Sequence, residues 1–110
     1  MAVSQERRKY RRFDVPCRLN VELPGGGAVR VRTVNISDGG AYFVTDGVIE
    51  VGRQVNVRLT VPRDTANTFF LEQFAARAKV IRCEPQRPKG DNDCAGVALR
   101  FEKVLTLDLA

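Results

Sequence analysis

The chain has 110 residues and a net charge of +5, enough for one domain around one modest core. It has no histidine, which removes the commonest general base and the Ser–His and Cys–His nucleophile systems; an enzyme would rest on carboxylates or lysines, and no such constellation is visible. Its three cysteines form no C-x-x-C pair and indicate neither a disulfide framework nor a zinc site, no apolar run approaches the roughly 18 residues of a membrane span, and the polar, charged N-terminus has no signal-peptide pattern.

A non-enzymatic protein of the cytoplasm, with no cofactor and no membrane partner, is therefore expected. The charge is concentrated at one place. Residues 1–12 hold five Lys/Arg and one Glu, so +4 of the +5 lies there. This is a local cationic arm that suits an anionic partner met at one point, and not a basic domain.

Residues 1–6 are polar and read as mobile. Arg7-Arg8-Lys9-Tyr10-Arg11-Arg12 follows, five cations in six positions. Residues 1–12 are taken as the arm and 13–110 as a single β domain. Val15 to Leu23 alternates apolar and polar, which predicts a half-buried strand with the odd positions inward. Pro24-Gly25-Gly26-Gly27 is a hairpin turn, because no Lys-Ser/Thr and no helix follow to make a phosphate loop.

Ala28 to Ile36 is the second strand. Val29 and Val31 share one phase and Val34 and Ile36 the other, which predicts a β-bulge near Arg32-Thr33. Asn35-Ile36-Ser37-Asp38-Gly39-Gly40 then breaks the strand, and the two glycines predict a reversal with unusual backbone angles. Extended structure resumes over Ala41–Thr45, and Val55–Val61 alternates until Pro62 ends it. Residues 63–68 read as a polar loop.

Phe69 to Cys83 reads as one long strand, since Arg77 and Lys79 alternate with Ala76, Ala78 and Val80. Residues 86–93 form a loop and Gly96–Phe101 the last strand. The tail from Glu102 fits a helix and a strand equally well. Six short strands without a long helix predict an all-β antiparallel fold, a barrel being favoured because it hides the sheet edges.

Two segments could carry chemistry. Guanidinium groups bind phosphate through paired N–H bonds, stack on flat π-systems and can address O6 and N7 of guanine; a guanine nucleotide suits an arm containing Arg8 and Arg12. Asn35 supplies an amide, Ser37 a hydroxyl, and the turn at Gly39-Gly40 can expose backbone N–H groups to an anion. Each segment alone also fits a plain reading: a solvated charge run, and a turn with local capping.

Together, R-x-x-x-R at Arg8–Arg12 and N-x-S-x-x-G at Asn35–Gly40, separated by a hairpin, resemble the PilZ family. Gly96-Val97-Ala98-Leu99-Arg100-Phe101 is similar to that family's closing strand. The resemblance covers about residues 6 to 101. It implies a six-stranded antiparallel barrel that binds cyclic di-GMP, a bacterial second messenger, with Arg8 and Arg12 on phosphate and guanine, Asn35 and Ser37 on a guanine edge, and Gly39-Gly40 forming the turn beneath.

Arg7, just before the first motif, implies a stacked pair of ligands, and Arg82 stands where the family often places a group that packs on a base. The family usually continues into a longer C-terminal helix; the nine residues here imply a barrel end that is less well covered or covered by a partner. The expected protein is a receptor whose arm closes on ligand and signals to a downstream protein partner, with no nucleic acid as its target. Its rivals are a non-specific nucleic-acid-binding barrel, for which an aromatic stacking set is missing, a PilZ-like docking module without ligand, and, more distantly, a carboxylate enzyme built on Asp38.

Overall fold

A strand whose apolar residues alternate is a two-faced ribbon, and such ribbons bury their apolar faces by closing on themselves. The computed structural model describes residues 10–46, 49–85 and 94–109. Its strands are β1 (Arg18–Glu22), β2 (Ala28–Ser37), β3 (Gly40–Asp46), β4 (Gln54–Asp64), β5 (Phe69–Pro85) and β6 (Cys94–Phe101). They form a closed antiparallel barrel in the order β1-β2-β3-β6-β5-β4. Among the described residues there is no helix. The predicted loop at 86–93 lies outside the described residues.

The inward positions follow the sequence pattern. Cys17, Leu19 and Val21 are buried from the first strand, Val55, Val57, Leu59 and Val61 from β4, and Val97, Leu99 and Phe101 from β6. The Pro24–Gly27 turn closes β1 onto β2 with Gly25, Gly26 and Gly27 all at positive φ, a conformation open to glycine without a Cβ clash. The long strand over Phe69–Pro85 confirms the alternation reading of that run.

Three local expectations change. Pro62 does not end β4, which continues to Asp64, so the loop expected over 63–68 shortens to 65–68. Pairing with β1 stops at Thr60, so one edge of β4 carries no ladder beyond that point and a residue without N–H is tolerated. The bulge in β2 is present, but the register shifts between Thr33 and Asn35. The extra residue is Val34, which is exposed, while Thr33 takes the inward position.

Thr33 is buried because it is fully used. Its hydroxyl accepts the Cys17 N–H at 2.8 Å and donates to the Val15 carbonyl at 2.7 Å. It thereby binds the segment before β1, where Pro16 interrupts the ladder, to β2. Burial pushes the Cys17 thiol above its ordinary pKa of 9.0, more than the Thr33 contact and the Arg63 charge lower it. The neutral thiol is thus the native form, and its contribution to stability is lost as pH rises above about 9. Thr33→Val keeps the shape but strands the buried Cys17 N–H and the half-buried Val15 C=O. It is expected to cost about 2 kcal/mol, on about 1–3 kcal/mol for each orphaned group, measured by urea unfolding; an unchanged midpoint would remove this role.

The tail is neither helix nor strand. It runs as irregular backbone across the barrel and is tied down at both sides. The Leu105 N–H donates to the Asp38 carbonyl at 2.9 Å and the Leu107 N–H to Asp38 Oδ1 at 3.0 Å. Arg63 pairs with Glu72 at 2.9 Å, and its two terminal nitrogens donate to the carbonyls of Asp108 and Leu107. Leu107 is completely buried within the core. The short tail therefore covers this part of the barrel itself, contrary to the expectation of an open or partner-covered end.

Candidate functional site

Antiparallel pairing turns residues that are distant in sequence into rows across the sheet. One row on the outer face reads Asn35–Tyr42–Ala98–Arg82, from β2 through β3 and β6 to β5. The next reads Ser37–Gly40–Arg100–Lys79. Each row has one small residue in its middle pair, Ala98 beside Tyr42 and Gly40 beside Arg100.

Asn35 and Arg82 face outward because of two bulges. In β2, residue 33 points inward, so strict alternation would turn Asn35 inward as well. The extra residue Val34 resets the phase, and Ile36 becomes the buried one. In β5 the register shifts between Val80 and Arg82. Val80 is buried, Ile81 is the exposed extra residue, and Arg82 is exposed where alternation would place it inside. The bulges stand at opposite ends of the same row and aim both ends at one space. The β5 bulge was readable in Val80-Ile81-Arg82-Cys83, where the apolar phase changes.

The arm is joined to this space by a short bridge. Phe13 and Ile36 exchange backbone hydrogen bonds of 2.8 and 2.9 Å, which brings the chain before Phe13 alongside Asn35–Ser37. The Arg11 guanidinium sits 5.1 Å from the Phe13 ring centre, a cation–π distance. The Tyr10 ring lies on Gly39, where an added Cβ would come within 2.6 Å of Tyr10 Cδ2.

The result is an open cavity of about 450 Å³ lined by residues that include Tyr10, Arg12, Asn35, Ser37, Tyr42 and Arg82. Gly39, Gly40 and Arg100 also border it, and Val104 of the tail closes one side. Of the sequence-predicted site residues, Arg12, Asn35, Ser37, Gly39, Gly40 and Arg82 are brought together here. Arg7 and Arg8 lie outside the described residues.

Two details differ from expectation. Gly39 and Gly40 are absent from the residues with positive φ, so the turn does not need them for unusual backbone angles. They are needed for close approach: a Cβ on Gly40 would stand 2.1 Å from the Leu99 carbonyl oxygen. Asp38, considered as an isolated acid, is spent on anchoring the tail. Ser37 Oγ accepts the Gly39 N–H at 3.1 Å, which holds the turn and leaves the hydroxyl proton to be donated elsewhere.

Sequence reasoning gave no site role to Tyr10, Tyr42 or Arg100. Tyr42 and Arg100 become visible only when the register Asn35↔Tyr42 and Gly40↔Arg100 is known. The cavity thus presents Arg12, Arg82 and Arg100 beside two phenol rings, with Arg82 within 3.5 Å of Glu84. That ion pair is about half exposed on both sides and holds Arg82 weakly. Chemically this is a flat polar floor with an apolar centre and a cationic rim, suited to an anion that carries planar rings.

The PilZ domain family model matches residues 6–109. The chain belongs to the PilZ family. No curated protein matches it. Among solved structures, the Bacillus subtilis inhibitor of motility MotI/DgrA is 22% identical with a TM-score of 0.71, covering 90% of this chain. The chain spans 44% of that protein's length. The PilZ domain of YcgR from Escherichia coli, solved with c-di-GMP, is 18% identical with a TM-score of 0.61, over 88% of this chain and 79% of that one. At these identities the two structures speak for the fold alone, which is the closed six-stranded barrel described above.

Proposed function

We propose that this PilZ chain is a receptor for cyclic di-GMP that acts without catalysis. The observation that carries the reading is the convergence of Arg12, Asn35, Ser37 and Arg82 on one cavity, aimed there by two bulges and the Phe13–Ile36 bridge. The family assignment and the ligand held by the YcgR domain support it.

In this reading residues 1–12 are an arm on a single barrel domain of residues 13–110. Arg8 and Arg12 take phosphate and guanine through charge-assisted bonds. Asn35 and Ser37 address a guanine edge, above the close-packed Gly39-Gly40 floor. Arg82 stacks on a base, and Arg7 favours a stacked pair of ligands over one. The arm closes on the ligand and offers a new surface to a downstream protein partner.

Several charge-assisted bonds, each contributing about 1.5–3 kcal/mol and offset by the ordering of the arm, give an affinity near micromolar, about −8 kcal/mol. Calorimetry with cyclic di-GMP, GTP and a short single-stranded DNA tests this. Saturable heat is expected with cyclic di-GMP alone, and Arg8→Ala/Arg12→Ala is expected to weaken it at least about a hundredfold. The stoichiometry, one or two ligands per chain, tests Arg7. Binding to DNA alone would make the arm a nucleic-acid tail, and silence with all three would leave a docking module.

A further inference from the structure

On another part of the barrel, a second cluster of cations serves no purpose in the site above. Row register places Arg32 opposite Arg18 and Arg30 opposite Asn20 across β1 and β2. On the other side of β1, Thr60 stands opposite Arg18 and Arg58 opposite Asn20. Arg18, Arg30, Arg32 and Arg58, with Asn20, Thr60 and Gln73, line a shallow dish of about 520 Å³. None of the four arginines forms an ion pair with a described residue.

The arrangement is costly as it stands. Arg18 and Arg32 are like charges directly opposite one another, a destabilising pair. The Asn20 Oδ1 atom in the dish is buried with no hydrogen-bond partner, and such groups are uncommon in folded proteins. Carboxylates are sparse around it: Glu22 is one outward position along β1, and Asp64 lies at the far end of β4.

Next to the dish is an apolar tip. On the outer faces of β4 and β5, Thr60 pairs with Gln73, Pro62 with Leu71 and Asp64 with Phe69. β5 gains its β6 partner only from Ala78 onward, so the β4–β5 hairpin projects beyond the barrel wall. It carries Phe69, Phe70 and Leu71 at 63%, 46% and 53% exposure. Three consecutive exposed apolar residues on a projecting hairpin, with Leu71 one row from Arg18 and Arg32 and two from Arg30 and Arg58, match a surface with a phosphate layer over an apolar interior.

We propose that this face docks on an anionic lipid surface. The arginine dish takes headgroup phosphates, and Phe69 and Leu71 enter the boundary below them. The sequence expectation of no membrane partner weighed spanning segments only, and among the described residues no helix is long and apolar enough to cross a membrane. No residue that lines the dish also lines the cavity at Asn35 and Arg82.

The test is sedimentation of the full chain with vesicles of phosphatidylcholine alone and of phosphatidylcholine mixed with phosphatidylglycerol. Binding is expected only to the mixed vesicles. Arg18→Gln/Arg58→Gln is expected to weaken it about 25-fold, on about fivefold per basic residue near such a surface. Phe69→Ser/Leu71→Ser is expected to weaken it as well, with far-UV circular dichroism confirming that each variant is folded.

A variant with Arg7, Arg8, Lys9, Arg11 and Arg12 all changed to Gln separates this face from the arm. If that variant loses all binding while Arg18→Gln/Arg58→Gln retains it, the proposal is overturned. Equal sedimentation with neutral vesicles, no sedimentation at all, or competition by free glycerol phosphate as strong as that by vesicles would overturn it too. None of these outcomes bears on cyclic di-GMP binding.

Discussion

Gly40→Ala is expected to cost about 3 kcal/mol of stability and to disrupt the cavity at the same time. The added Cβ would meet a backbone oxygen, the Leu99 carbonyl, at 2.1 Å. No rotamer change relieves such a contact, because both partners are fixed in the β3–β6 ladder at the Gly40↔Arg100 and Ala41↔Leu99 pairs. The strands must separate locally, and overpacking of this kind costs about 1–3 kcal/mol or more. Because Gly40 sits at the centre of the Ser37–Gly40–Arg100–Lys79 row, separation also displaces Arg100 relative to Ser37.

Gly39→Ala is the control. Its Cβ would meet the Tyr10 ring at 2.6 Å, and a ring on the arm can swing away where a ladder carbonyl cannot. Gly39→Ala is therefore expected to leave the urea midpoint close to wild type while exposing Tyr10, read by its fluorescence. Equal midpoints for Gly40→Ala and wild type would show that the two strands do not hold this spacing in solution.

These two glycines illustrate what the sequence carries and what it hides. Asn35–Gly40 was legible as a special turn, but the reason assigned to the glycines was wrong. Backbone angle is a local property that a Gly-Gly pair suggests by itself. Close approach to Leu99 is a property of strand pairing across about sixty residues, and nothing local encodes it. The β2 bulge shows the same division. Its existence is legible from the shift in apolar phase, but that pattern groups Val34 with the buried Ile36, and Val34 is exposed. Thr33 wins the inward position because its hydroxyl meets the Cys17 N–H and the Val15 carbonyl, partners that only the folded neighbour supplies.

The strands were legible where alternation is strong, most clearly over Val15–Leu23 and Val55–Val61. Pro62 misled because its cost depends on whether a neighbour needs its N–H, and β1 has ended by then. The tail misled for another reason. Leu105, Leu107 and Leu109 keep a strand's spacing and Phe101, Val104 and Leu105 a helix's, but the backbone groups are satisfied by Asp38 and Arg63 instead of by regular structure. Asp38 and Arg63 looked like turn and loop residues, and their job is defined by a segment far along the chain.

That tail supplies the second large expectation. Leu107→Ala is expected to lose about 3 kcal/mol, within the roughly 2–5 kcal/mol of buried Leu→Ala changes. Leu107 is fully buried, and the segment around it has no secondary structure to hold it once the side chain is gone. Asp38→Ala removes the carboxylate that accepts the Leu107 N–H at 3.0 Å and is expected to cost about 1–2 kcal/mol. Since both changes release the same segment, they should not add. The double variant is expected to fall short of the sum by about 1 kcal/mol, as contacting residues do, measured by urea unfolding of the four proteins. Strict additivity would mean that Leu107 packs in the core independently of the Asp38 tether. The coupling also reaches the cavity: Asp38 is flanked by Ser37 and Gly39, and Val104 of the same tail lines the cavity wall. A tail released by Leu107→Ala removes one wall and loosens the turn that presents Ser37, so the same variant is expected to weaken the cyclic di-GMP binding proposed above severalfold even where most of the protein remains folded.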